Sequence, residues 1–320
     1  MHAHFYTADV FTTRRFGGNQ LAVFPDARAI PEANLLPITR EFNYSEVTFV
    51  YPPADRRHTR RVRIFTPGGE IPFAGHPTVG TAHVLVATGE VGGPAGGAPE
   101  PAADGELRLV LEEGVGPVPV LVRTERGEPV FAQLSVARLP EVVHRPHDLA
   151  ALAEVLSLDP GDLVGDAYAP EAVSSGIPFL MVPLASSDAV RRTRVRLDVW
   201  ERTLKGTPSS EMMVFATTGA GTGAEAAGAG QADVHARVFV PGLNVPEDPA
   251  TGAACAALGG YLAARTPRND ATLRWTVAQG IEMGRASTVH VEADKAGGQV
   301  TAVRVGGSTV LVSEGRMRVN

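Results

Sequence analysis

Two stretches of this chain, IFTPGGEIPFAGHPTVG at 64–80 and VFVPGLNVPEDPATGAA at 238–254, follow one pattern. Each runs from an apolar strand through a Pro/Gly turn and an acidic residue into a string of small residues that can open a helix. Ile64 and Phe65 lead to Glu70 and then to Gly75, His76, Pro77 and Thr78; Val238 to Val240 lead to Glu247, Asp248, Pro249, Thr251 and Gly252. Two strand-to-helix units of one pattern predict two similar lobes facing one site. Backbone N–H groups at a helix start attract anions, carboxylates above all. Small residues let a ligand approach that backbone closely.

The chain has 320 residues, room for two ordinary domains or one large one. With 44% hydrophobic and 20% charged residues the composition is that of a globular protein. A net charge of −6 argues against nucleic acid or an anionic membrane as partner. No apolar run reaches the roughly 18 residues of a membrane span. The opening MHAHFYTADVF lacks the basic start and apolar core of a signal peptide, so a cytoplasmic protein is expected. One cysteine, Cys255, permits neither a disulfide framework nor a cysteine metal cage. Only Lys205 and Lys295 are lysines, and both read as turn residues, which argues against a buried Schiff-base lysine. His144 and His147 flank Arg-Pro with no third ligand in view, so no metal site is expected.

Along the chain, residues 3–10, 20–25 and 45–53 read as strands, and 28–43 has helical spacing. Residues 75–91 and 251–265 read as helices apolar nearly all round, hence buried. ELRLVLEEGVGPVPVLVR at 106–123 gives two strands, and ALAEVLSLDPGDL a helix ended by Pro160 and Gly161. The Gly/Pro/Ala stretches 92–105 and 218–231 read as flexible surface loops. Neither forms a nucleotide fingerprint. Strands outnumber helices, and each half holds one long apolar helix.

FTTRRFGGNQLAVF at 11–24, FNYSEVTFV at 42–50, RIFTPGGEIPFAGHPTVGTAH at 63–83, SSGIPFLMVPL at 174–184, HARVFVPGLNVPEDPATGAA at 235–254 and QGIEMGRAS at 279–287 together resemble the PhzF-like phenazine-biosynthesis family. The resemblance implies the α+β, diaminopimelate epimerase-like fold. In it, two similar lobes each wrap a mostly antiparallel sheet around a central helix, with the active site in the inter-lobe cleft. The lobes are expected at 1–125 and 126–307, the last strand, about 308–320, packing back onto the first. The resemblance also implies a homodimer and cofactor-independent proton transfer on a small carboxylate. By motif, the proton-moving glutamate falls on Glu46, and the residues that hold substrate and assist on His76 and Asp248. Asn19, Gly75, Pro77, Thr78, Thr251, Gly252 and Ala253 are expected around the substrate. Ala253 stands where the family often has serine, and Gln20 where relatives have proline.

Read on their own, these residues leave alternatives open. A strand glutamate such as Glu46 is commonly exposed; in a closed cleft it would be desolvated and tuned towards neutrality, fit to take a proton from carbon. His76 is either a buried, hydrogen-bonded helix-start residue or a neutral donor and acceptor to substrate. Asp248 before Pro249 has the form of an N-cap followed by N1. Glu70 and Glu247 read as turn or capping residues, Asn19 as a loop-fixing residue and Arg285 as a surface arginine. Epimerases and racemases of this fold use two opposed cysteines. Here Gly75 and the Asp248 region stand in those places, and Cys255 reads as a small buried residue. The expectation is an isomerase shifting a proton on a small unsaturated or dihydroaromatic acid, with an epimerase or a non-catalytic binding protein as alternatives.

Overall fold

β-Branched and aromatic runs become strands where one face of them can be buried. A computed structural model describes residues 1–91, 105–145, 148–218, 232–243 and 245–320, so most of both expected surface loops lies outside the described residues. Residues 1–137 with 306–320 make one unit, and 138–305 the other.

In the first unit the strands are β1 (His2–Val10), β2 (Asn19–Phe24), β3 (Glu46–Tyr51), β4 (Arg60–Thr66), β5 (Gly69–Ile71), β6 (Gly105–Glu113), β7 (Gly116–Glu125) and β8 (Glu128–Ser135). The late strand β18 (Thr309–Arg318) joins them by pairing with β1. The order is β18-β1-β2-β3-β4-β6-β7-β8, parallel at β2–β3 and β4–β6 and antiparallel elsewhere. β5 folds back on β4 as a short hairpin.

One face of this sheet packs a helix α2 (Gly75–Ala87) of which every residue but the last is buried. Close approach sets part of its sequence: a Cβ on Gly80 would lie 2.6 Å from both Leu21 and Val10. The opposite face carries an aromatic cluster of Phe5, Phe24, Phe42, Phe49 and Phe65 beneath α1 (Leu35–Phe42). α1 is shorter than the helix expected over 28–43. Pro31 and Pro37 lack the N–H that a helix interior needs, so only a 3-10 turn at Glu32–Asn34 precedes it, and Pro37 falls in its first turn. Asn43, in the left-handed region, ends it.

The second unit repeats this plan. Its strands are β9 (Glu141–His144), β10 (Glu171–Ser174), β11 (Pro178–Pro183), β12 (Met212–Thr217), β13 (Val234–Val240), β14 (Val245–Asp248), β15 (Ala271–Gln279), β16 (Ser287–Ala296) and β17 (Gln299–Gly307). The order β9-β10-β11-β12-β13-β15-β16 is parallel at β11–β12 and β13–β15 and antiparallel elsewhere. That is the pairing sequence of β18 to β7 in the first unit, step for step. β14 hairpins on β13 as β5 does on β4. The buried helix α6 (Gly252–Arg265) follows β14 as α2 follows β5.

The other face of the second sheet is covered by α3 (Leu149–Leu156), α4 (Ser187–Arg192) and α5 (Leu197–Thr203), packed on Leu180, Val182, Met212 and Val214. α3 stops at Ser157 in the left-handed region, before the expected Pro160, which instead opens a 3-10 turn. α4 and α5 have no counterpart in the sequence expectations; each is under three turns long, too short for periodicity to reveal.

Lys295 is a correction. It lies on β16 rather than in a turn, it is buried, and its ammonium donates to the carbonyls of Ala263 and Thr266. Alternation along β16 aims it inward at the C-terminal end of α6, where a cation offsets unpaired carbonyls. Among the described residues no helix is long and apolar enough to cross a membrane.

Candidate active site

The period of two along a strand decides where Glu46 points. Thr48 and Thr81 share a buried 2.8 Å hydroxyl–hydroxyl hydrogen bond, so Thr48 faces α2, and Glu46, two residues earlier, faces it too. On the neighbouring strand β2, Leu21 reaches Gly80 of α2, which puts Asn19 on the same face. The parallel register sets Leu21 beside Glu46. Asn19, Glu46 and the start of α2 thus converge by strand geometry alone.

His76, the second residue of α2, occupies the centre of this group. Its Nε2 lies 3.3 Å from Glu46 Oε2, and its Nδ1 lies 3.2 Å from Asn19 Nδ2. The Glu46 side chain is only 15% exposed, so the exposed alternative for this strand glutamate is set aside. Burial depresses His76 to a pKa of about 3, opposed in part by the Gln20 main chain, so the ring is neutral at ordinary pH. The dominant cause is desolvation rather than the helix dipole. A neutral imidazole holds one ring proton. With it on Nε2 the N–H lies beside Glu46 across a contact not aligned as a hydrogen bond; with it on Nδ1 a bare Nε2 lies there.

The rest of the expected first-unit residues form the same helix start. Gly75 and Pro77 flank His76, and Thr78 lies one position on, all buried. Ala74, extended, is the N-cap and offers no side-chain cap to the helix's first N–H groups. Those groups are donors for an anion.

In the second unit, Asp248 is the last residue of β14 and is buried. Its Oδ2 accepts from the Thr251 hydroxyl at 2.5 Å. The N-cap of α6 is Thr251, not Asp248, because Pro249 and Ala250 come between strand end and helix start. Gly252 and Ala253 are the first helical residues, both buried. Gln279, fully buried at the end of β15, holds this turn at both ends. Its Nε2 donates to the Asp248 carbonyl at 2.8 Å and to Thr251 Oγ1 at 3.1 Å, and its Oε1 accepts from the Thr251 N–H at 3.2 Å. Gly280 follows with φ +74°, and a Cβ there would lie 2.5 Å from the Pro249 carbonyl. Gln279 carries no charge and stands outside both repeated segments, so its part was not read from the sequence; its place at the head of the QGIEMGRAS segment was the available signal.

Three neighbours differ from their expected roles. Glu70 lies on β5 and pairs with Arg63, and Glu247 lies on β14 in a two-pronged pair with the buried Arg237. Both are strand ion-pair residues rather than caps. Arg285 is half-buried rather than a surface residue. Cys255 is buried one turn into α6, and burial pushes its thiol well above the usual range, which removes it as a proton-transfer base. No group of three or more metal-ligating side chains occurs among the described residues.

Two units of one topology, each a sheet on a buried helix with polar side chains gathered at the helix start, define a protein of the diaminopimelate epimerase-like fold, of class α+β. A hydroxyproline epimerase from Agrobacterium vitis shares it at a TM-score of 0.61 and 13% identity, over 99% of this chain and 92% of that one. A Bacillus anthracis phenazine biosynthesis protein of the PhzF family superposes at a TM-score of 0.82 and 23% identity, over 99% of both chains. The profile of the phenazine biosynthesis-like protein family, PhzC-PhzF, matches residues 8–315, and the chain belongs to that family. It is 35% identical to an uncharacterized isomerase of Mesorhizobium japonicum over 97% of this chain and 96% of that protein. It is 32% identical to the trans-2,3-dihydro-3-hydroxyanthranilate isomerase of Pseudomonas aeruginosa over 99% of both.

Proposed function

We propose that this chain is a PhzF-like isomerase that moves a proton, with no cofactor, on a small unsaturated or dihydroaromatic carboxylic acid. The observation that carries the reading is the buried contact of Glu46 with a neutral His76 at the start of α2. The names of the relatives support the same reaction class.

In this reading the substrate carboxylate is held by the N–H groups at a helix start. The Glu46 carboxylate takes a proton from an activated carbon. The C–H electron pair spreads into the conjugated system. The resulting carboxylic acid returns the proton at a distant carbon, so the double bonds shift and no oxidant or reductant is consumed. His76 keeps Glu46 oriented and can donate to or accept from a substrate oxygen. Asp248, with Thr251 against it, is proposed to hold substrate and assist. Asn19, behind His76, fixes the ring. A homodimer and a cytoplasmic location belong to the proposal; a single unpaired cysteine fits a reducing compartment. Light scattering of the purified protein tests the dimer.

The test of the chemistry is hydrogen exchange in heavy water with a panel of dihydroaromatic and unsaturated acids, followed by NMR. Wild type is expected to incorporate deuterium and shift a double bond, and Glu46→Gln to lose at least about 100-fold of that rate while remaining folded. Full exchange in Glu46→Gln would sink the assignment. Inversion at one stereocentre with no double-bond shift would restore the epimerase reading.

A further inference from the structure

Beneath the start of α2 lies a second carboxyl that the proposed reaction does not use. Glu113 ends β6, and only 8% of it is exposed. The β6–β7 turn after it is pressed against the segment leading into α2: the Val115 N–H donates to the Pro72 carbonyl at 3.1 Å, and a Cβ on Gly114 would lie 2.7 Å from Pro72. Glu113 Oε1 lies 2.6 Å from Thr78 Oγ1, and its Oε2 is buried with no hydrogen bond.

The Thr78 hydroxyl is the donor that reaches this carboxyl. Thr78 Oγ1 lies within hydrogen-bond distance of two oxygens, Glu113 Oε1 at 2.6 Å and the Ala74 carbonyl at 2.7 Å. A hydroxyl has one proton to give. The Ala74 carbonyl also accepts from the Thr78 N–H at 3.3 Å, so the hydroxyl proton can turn to Glu113 Oε1. That leaves Oε2 as the oxygen with no donor, and a proton carried there removes the buried charge. An ionised carboxylate there would leave a charged oxygen buried without a donor, which is costly.

The surroundings agree. α2 carries His76 and His83, β4 carries Arg60, Arg61 and Arg63, β7 carries Arg123 and Glu125, and β5 carries Glu70. On β6 itself are Glu106, Arg108 and Glu112. None of them pairs with Glu113 or perturbs it; burial alone pushes its carboxyl up to about 8, against a small opposing effect of Thr78.

We propose that Glu113 is a positioning residue held in its acid form: through Thr78 it fixes the first turn of α2, and its neutrality keeps that turn receptive to a carboxylate ligand. The second half rests on the function proposed above, because the carboxylate is the substrate group assigned to this helix start. Ionising Glu113 would set a negative charge one side chain away from that group.

The experiment has two arms. The first is NMR titration of the Glu113 carboxyl carbon in wild-type protein labelled on glutamate and assigned through bonds, so that no variant need fold. It is expected to titrate near 8. Titration in the ordinary glutamate range overturns the proposal. The second arm is calorimetric titration with benzoate, the simplest aromatic carboxylate, from about pH 6 to about pH 10, for wild type and Glu113→Gln. Benzoate and His76 keep one charge state across that range. Wild-type affinity is expected to fall by up to about tenfold per pH unit above the Glu113 pKa, and that of Glu113→Gln to stay flat. The same fall in both proteins, or no benzoate binding at pH 6, overturns the link to a ligand. Loss of heavy-water exchange with both arms intact would fault the isomerase reading and leave Glu113's role standing.

Discussion

At the scale of the residue, the first-unit site joins two groups whose burial would shift stability in opposite directions along the pH axis. His76 is depressed from 6.5 to about 3. Between those values the unfolded chain binds the proton and the folded protein does not, so stability falls as pH falls through that window. Glu113, raised from 4.5 to about 8, does the reverse, and its contribution is lost as pH rises through its own window. Replacing His76 by Gln is therefore expected to lessen the loss of stability between about pH 6.5 and about pH 4, read by urea unfolding. His83, also buried and depressed to about 4, keeps part of the acid sensitivity in that variant. An unchanged acid profile would show that His76 is not buried neutral in solution. The role of Glu46 was open in the sequence because a strand glutamate is ambiguous by itself. Its direction was nonetheless encoded two residues away, in Thr48, whose hydroxyl needs a partner on the helix side. Glu113 was not foreseen, since a glutamate following another acid in LVLEEG gives no sign of which one turns inward. Glu112 turns out to His58 and the Ala54 and Asp55 N–H groups, and Glu113 turns in.

At the scale of the element, both central helices are positioned by atoms they lack. Gly80→Ala is expected to cost about 1–3 kcal/mol, because a Cβ has nowhere to go between Leu21 and Val10. Shortening Leu21 to Ala in the same chain should recover part of that loss, and thermal unfolding of single and double variants measures it. Gln279→Leu keeps the size of the side chain but removes its hydrogen bonds to the Asp248 carbonyl and the Thr251 N–H. About 2–4 kcal/mol should be lost, with turnover falling further than Gly80→Ala lowers it. Equal falls in turnover at equal stability would reduce Gln279 to an ordinary core residue. The two buried helices were legible because their apolar residues run all round, and their starts because small residues and a proline cluster there. The short covering helices α4 and α5 were not, since six or seven residues hold too few turns to show a period. Lys295 was misplaced for a related reason: the Gly-Gly that follows it marks a turn, yet the strand runs on through Ala296.

At the scale of the whole molecule, the repeated segment announced the repeated unit. The match extends beyond the segment to a strand order with parallel steps in the same two places. Local pattern does not say which strand closes each sheet, because edge pairing depends on residues far apart in the chain; for the first sheet the expectation of a returning last strand comes from the family resemblance alone. β18 lies along the whole of β1, and the Met1 amino group reaches Asn320 Oδ1 at 2.6 Å. Deleting residues 308–320 is expected to strip β1 of its partner and collapse the first unit, while amide protection of β11, β12 and α6 persists. Hydrogen exchange of the truncated chain reads this directly, and protection retained in β1 and α2 would contradict it.

The pairing of β18 with β1 also sets an order in time. The strand that completes the first sheet follows the whole second unit in the chain, so the first unit, begun first, cannot be completed before the second has been made. Glu46 and His76, made early, are held in an unfinished sheet until residues 309–318 have paired with β1, and any proton transfer that depends on them begins only then.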